Sequence, residues 1–141
     1  MSSRQPRIAS VFASNPLIVM DRVEGAAAAN VVQADVTTPV TLRVWQHDTR
    51  EDAINAANGT EVGAVANIAV VDCIFDTLQT DARWTENGGD AEGYNFRATI
   101  PAARFPTGGK WNRAQLLFNP SASGEDDFRL VWVIEVKPID S

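Results

Sequence analysis

The side chains with the most chemical potential are few and scattered. His47 is the only histidine and Cys73 the only cysteine. An imidazole and a thiol form a nucleophile–base pair only if the fold brings them together. Cys73 sits in the apolar run Val70-Val71-Asp72-Cys73-Ile74, where a cysteine behaves as a small hydrophobe. Asp48 follows His47 directly in sequence and is not a partner delivered from elsewhere in the chain. A Gly-x-Ser-x-Gly elbow, a Walker loop, a His-Glu-x-x-His pair and a pair of cysteines are all missing from the sequence. The expectation is a non-enzyme with no catalytic residue, no metal and no cofactor.

Two acidic groups could offer oxygen ligands to calcium: Glu86, Asn87, Asp90 and Glu92, and then Glu125, Asp126 and Asp127. Neither has the spacing of the roughly twelve-residue calcium loop with its closing glutamate. Both read as solvated turns. Asn58-Gly59-Thr60 matches the glycosylation sequon, which stays silent without a secretory route. The tryptophans are more informative. Trp132 falls in register with a core face, and Trp84 is expected to plug an end of the domain. Trp45 and Trp111 lie opposite the apolar sets of their strands. Either they anchor an interface, or both faces of their strands are covered.

These residues have to be positioned by strands. The organising stretch runs from Val70 to Pro101. It opens on Val70, Val71 and Ile74, breaks at Asn87-Gly88-Gly89-Asp90, and resumes as the alternation Tyr94, Phe96, Ala98, Ile100. The spacing predicts a central strand pair, its first member from Ala69 to Thr77 with Val71, Cys73 and Phe75 facing the core. Upstream, Val31 to Val36 reads as a weak strand and Val40, Leu42 and Val44 as a cleaner one. Between Gln46 and Glu61, Asp48 with Glu51 resembles a capping box for a short surface helix, and Val62 to Ala66 reads as an edge strand. Downstream, Lys110 to Phe118 and Phe128 to Val136 alternate apolar and polar residues, with a hairpin loop between them from Asn119 to Asp126. About seven strands with frequent turn signals predict an all-β, antiparallel β-sandwich.

At 141 residues the chain fits one domain of about 100–200 residues. Residues 1–25 read as an extended N-terminal arm and 26–141 as the sandwich. The arm is polar, with one apolar patch at Leu17-Ile18-Val19-Met20, and on its own buries too little to become ordered. The net charge of −6 argues against a nucleic-acid partner, because phosphate binding needs a basic face. No run approaches the ~20 apolar residues of a membrane span, and the N-terminus does not read as a secretory signal, so the expected place of synthesis is a cytoplasm.

One resemblance sharpens this. Ile74-Phe75-Asp76-Thr77-Leu78-Gln79-Thr80-Asp81, Trp84, Asp90, Gly93-Tyr94-Asn95-Phe96, Pro101 and Phe105-Pro106 together resemble a pattern in small virion proteins of tailed bacteriophages. The match covers residues 70–137. Asp90 with Gly93-Tyr94 also looks like the tyrosine corner of immunoglobulin-like sandwiches, with one extra residue between Asp and Gly. The resemblance implies an Ig-like virion module: a capsid decoration (cement) protein stabilising the head shell, or a tail or baseplate adaptor. Its expected partners are the major capsid protein or other virion proteins, with the chain itself a trimer or dimer. The residues expected to meet a partner are Arg4, Arg7, Leu17, Ile18, Val19, Met20, Arg22, Trp45 and Trp111. A third reading, a host-glycan-binding module, would use Trp45 or Trp111 as a stacking platform.

Overall fold

The computed structural model describes residues 2–3, 6–24, 29–36, 39–86, 89–119 and 128–139. The small-residue connector at 25–28, Asn87 and the loop at 120–127, with its three acids, lie outside them. Strands dominate: β1 (Ser2–Ser3), β2 (Arg7–Phe12), β3 (Leu17–Asp21), β4 (Val40–His47), β5 (Thr60–Glu61), β6 (Ala66–Ile68), β7 (Ile74–Gln79), β8 (Tyr94–Ile100), β9 (Lys110–Phe118) and β10 (Phe128–Lys137). Short helices α1 (Arg50–Asn55), α2 (Val70–Cys73) and α3 (Ala82–Glu86) interrupt them. Among the described residues the strands form two sheets. The larger runs β10-β9-β4, with β1 and β2 on the outer side of β10 and β5 and β6 beyond β4. The smaller runs β3-β8-β7.

Sequence alternation explains the inner faces. Val40, Leu42 and Val44 of β4, and Ala114, Leu116 and Phe118 of β9, are buried in alternation with half-buried neighbours. Phe96 of β8 stacks on Phe118 at 5.9 Å and on Trp132 of β10 at 6.5 Å, linking the two sheets. Each such large side chain stabilises the core by about 1.5–3 kcal/mol. β10 departs from simple alternation, because Val131 and Val133 are buried as well as Leu130, Trp132, Ile134 and Val136. The larger sheet is covered on its outer face too. Arg113, in register with Val133 on that face, donates to the Ala53 and Ile54 carbonyls of α1, tying the helix there.

Several expectations change. The 1–25 segment supplies strands to both sheets: β2 runs parallel to β10, and β3 pairs antiparallel with β8 through Leu17↔Ile100 to Asp21↔Phe96. Each takes its ladder from a strand far along the chain, so a polar segment is ordered without a large apolar patch of its own. The β2–β10 pairing also makes the larger sheet mixed rather than antiparallel. Residues 33–35 form a 3-10 turn instead of a strand. Asp35 accepts the Val32 N–H at 3.0 Å, and Gln33 docks sideways on β7 through Asp76 and the Ile74 carbonyl.

Residues 70–73 are helical rather than extended. One turn brings Val70, Cys73 and Ile74 to the same side, whereas strand alternation would separate the last two. Val71, expected in the core, is 67% exposed, and Phe75 is half-buried. The expected helix does form between β4 and β5. Its cap is Thr49, which accepts the Asp52 N–H at 3.1 Å, while Asp48 pairs with Lys110. The edge strand expected at 62–66 is instead mostly the connection between two short strands, β5 before it and β6, which begins at Ala66.

Candidate interface cleft

β2 and β3 are consecutive in the chain, yet each lies at the margin of a different sheet. The turn 13–16 joins them, with Ser14 at a positive φ of 62° and its N–H on the Phe105 carbonyl at 2.7 Å. The two margins therefore border one open side of the molecule. A cleft of about 530 Å3 lies there. Its lining comes from β2, from Pro16 through Met20, and from Arg83, Trp84, Gly89 and Trp132.

Of the residues expected to meet a partner, this cleft gathers Arg7, Leu17, Ile18, Val19 and Met20. Leu17 and Ile18 are half-buried, and Val19 and Met20 are buried. Arg7 Nη2 donates to Asp21 Oδ1 at 2.6 Å; the carboxylate is buried, but the Arg7 side chain stays 48% exposed. Arg22 is placed differently. It makes a two-pronged pair with Asp90, Nη1 to Oδ1 and Nη2 to Oδ2, each at 2.7 Å, and also donates to the Gly93 carbonyl at 3.1 Å. The Arg22 guanidinium, helped by the Gly93 N–H, holds the Asp90 carboxyl down at about 2. With Asp90 so engaged, its turn is braced against β3. Among the described residues no group of three or more His, Cys, Asp and Glu is arranged to hold a metal ion. Arg4 lies outside the described residues.

Trp45 and Trp111 are elsewhere, on the outer face of the larger sheet. Trp45 is opposite Arg113, and Trp111 opposite His47, so the two tryptophans share a face in diagonal register. Sequence inspection identifies no second aromatic on the Trp45 face; the β4–β9 register supplies one. Both side chains are half-buried, and the Arg43 guanidinium lies 4.8 Å over the Trp45 ring while gripping Glu61 with two hydrogen bonds.

The cleft also uses residues that sequence reasoning did not nominate: Ile8, Arg83, Trp84 and Trp132. Trp84 is fixed from three sides. Its backbone N–H meets Asp81 Oδ1 at 2.9 Å, its indole N–H donates to the Asp90 carbonyl at 2.8 Å, and its ring leans on Tyr94 at 5.4 Å. The Trp84 ring lies so close over Gly89 that any β-carbon there would collide with it. Rather than plugging the end of the sandwich, Trp84 is half-buried at the cleft wall. The legible signal was Asp81 three residues before Trp84, a helix-capping spacing. Tyr94 sends its hydroxyl to the Asp81 carboxylate at 2.8 Å, from the central strand of the smaller sheet. A tyrosine corner would instead bond to the backbone.

His47 and Cys73 have separate surroundings. His47 Nδ1 meets the Ala57 carbonyl at 2.7 Å, whereas the Cys73 thiol points at the Ala69 and Val70 carbonyls. Burial first, and the nearby Asp72 charge second, push that thiol up to about 12. No helix among the described residues is long and apolar enough to cross a membrane. Comparison with protein-family models and with curated proteins returns no match.

Proposed function

We propose that this chain is a structural module of a tailed-bacteriophage virion, an Ig-like sandwich that decorates the head shell and cements junctions between major capsid subunits. Strand order supports the fold half of this reading. Immunoglobulin-like sandwiches place strands A, B, E and D in one sheet and C, F and G in the other. Taking β3, β4, β7, β8, β9 and β10 as B, C, D, E, F and G gives the neighbours B-E-D and G-F-C. Among the described residues the place of strand A beside β3 is left open, because β1 and β2 join β10 instead.

The observation that carries the functional half is the convergence of Arg7, Leu17, Ile18, Val19 and Met20 on one open cleft between two sheet margins. A surface assembled from separate strand edges suits attachment to a protein better than chemistry on a small molecule. The net charge of −6 fits a protein partner better than DNA. Each attached copy, as a dimer or trimer, adds contact area across a shell junction and raises the cost of separating the subunits beneath it. Quantitative mass spectrometry of purified virions should find many copies per particle, and immunogold should label heads. A few copies with label at the tail would replace the decoration reading with the tail-adaptor one. Absence from virions would end both.

A further inference from the structure

Among the described strands, β2 alone turns large apolar side chains out to solvent. Ile8 is 50% exposed and Phe12 55%, whereas Leu17 and Ile18 of β3 are half-buried and Val19 and Met20 buried. Folded proteins blunt a free sheet edge with short strands, bulges, prolines or lysines. β5 and β6 have only two and three residues, and the β7–β8 ladder carries a register shift. β2 has none of these devices. Its six residues hold an unbroken register along β10 from Arg7↔Trp132 to Phe12↔Lys137. Among the described residues no strand pairs with its other side.

The Ala13 N–H donates to the Lys137 carbonyl at 2.8 Å, which sets the direction of the backbone groups along β2. These groups alternate, so Arg7, Ala9 and Val11 turn theirs to β10, and Ile8, Ser10 and Phe12 turn theirs to the open side. The side chains of Ile8, Ser10 and Phe12 also share one face. We propose that two copies of this chain pair β2 to β2, antiparallel about a two-fold axis at Ser10, so that one larger sheet continues into the other. In this register Ser10 meets its own symmetry mate, and Ile8 of either copy meets Phe12 of the other. Every pair of outward-turned residues is then a hydrogen-bonded one, up to Phe12, whose carbonyl already accepts the Asn15 N–H at 3.2 Å and ends the ladder. Each apolar pair sets an aromatic against a β-branched side chain, a favoured cross-strand combination.

A two-fold axis at any other residue of β2 separates Ile8 from Phe12, and an axis between residues sets outward groups against inward ones. This self-complementarity is what names the occupant as a second copy. Charge does not oppose it. β2 carries no acid, and the two Arg7 side chains, each bonded to Asp21 of its own copy, fall at opposite ends of the contact. The inference deepens the assembly reading above, on which its purpose rests. Arg7, Ile8, Ala9 and Ser10 also line the cleft, so the pairing sets the clefts of two copies side by side.

Sedimentation equilibrium of the full chain from about 1 µM to about 1 mM tests the pairing. The expected result is a monomer–dimer equilibrium with a dissociation constant of about 10–100 µM, as suits a contact of one short strand per copy. Ser10→Pro should abolish the dimer and keep the fold by circular dichroism, because the N–H it removes faces away from β10. Ile8→Glu and Phe12→Lys should each weaken association at least about tenfold, and the double variant should regain most of that loss, since the new charges meet across the axis. A chain monomeric throughout, a trimer, a dimer unchanged by Ser10→Pro, or a double variant no tighter than the single ones overturns the proposal. Should Ser10→Pro fail to fold, the charge pair decides alone. The virion measurements are independent: a monomeric chain found on heads loses only this inference, while a dimer absent from virions loses only the assembly reading.

Discussion

Asn95 bonds both backbone groups of Val23. Its Oδ1 accepts the Val23 N–H at 2.7 Å, and its Nδ2 donates to the Val23 carbonyl at 2.9 Å and to the Val31 carbonyl at 2.8 Å. Val23 and Val31 also bond each other, Val31 N–H to Val23 O at 3.0 Å. One buried amide therefore continues the β3–β8 pairing past Asp21, where the backbone ladder stops. It also ties together Val23 and Val31, two points on the connection leading from β3 towards β4.

Replacing this amide tests how far the N-terminal strands belong to the cooperative fold. Asn95→Leu keeps the branched shape but strands an N–H and weakens two carbonyls in a buried site. At about 1–3 kcal/mol per unsatisfied group, a loss of at least about 3 kcal/mol is expected in urea unfolding. A loss under about 1 kcal/mol would mean that the segment through Val23 detaches before the core melts.

How much of this was legible follows from where the information lies. The faces of β8, β9 and β10 could be read because Phe96, Leu116 and Ile134 repeat at the strand period. β2 could not, because Arg7 to Phe12 buries almost nothing by itself and is a strand only through its pairing with β10. The turn at Val70–Cys73 was misread because β-branched valines favour strands locally, while the core needed Cys73 and Ile74 side by side. Within the cleft, the apolar patch Leu17–Met20 was visible in the sequence. Its neighbours Trp84 and Arg83 came from about sixty residues away through a turn braced by Arg22 and Asp90, a juxtaposition that no local pattern encodes.

That brace gives a pH dependence with a definite sign. The Asp90 carboxyl is held at about 2, below its value of roughly 3.9 in an unfolded chain. The folded state binds the proton less readily, so the contribution is complete above about pH 4 and disappears as the pH falls towards 2. Asp81, lowered by the Trp84 backbone N–H and then by the Tyr94 hydroxyl, acts in the same direction. Asp90→Asn should melt below the wild-type chain at pH 7, and the two melting temperatures should converge by about pH 2. A gap independent of pH would assign the effect to geometry rather than charge.

Cys73 makes a prediction about reactivity. With its thiol pushed up to about 12, only about one molecule in ten thousand carries a thiolate at pH 8, against roughly a quarter in an unfolded chain. The side chain is also fully buried. Labelling by a disulfide reagent at pH 8 should be at least about a thousandfold slower in the native protein than in guanidinium. Rapid native labelling would place the 70–73 turn among locally opening segments.

The last prediction concerns the only histidine, which is structural in its surroundings. His47 is 2% exposed on the outer side of β4, opposite Trp111 across the ladder. Its Nδ1 is tied to the Ala57 carbonyl, and Gly59 packs directly on the ring, so a β-carbon at position 59 would overlap Cε1 and crowd both nitrogens. The ring cannot retreat, because the Ala57 bond holds it, and Ala57 is itself fixed through its N–H to the Asp52 carbonyl at 2.9 Å. Gly59→Ala should therefore act as an overpacking mutation, costing about 1–3 kcal/mol in urea unfolding. The double variant His47→Ala with Gly59→Ala decides the cause. If the clash is responsible, Gly59→Ala costs far less in the His47→Ala background than in wild type, giving a coupling of at least about 1 kcal/mol. Additive losses would show that Gly59 is needed for its backbone alone, and that the loop returning from α1 to β5 does not rest on the imidazole.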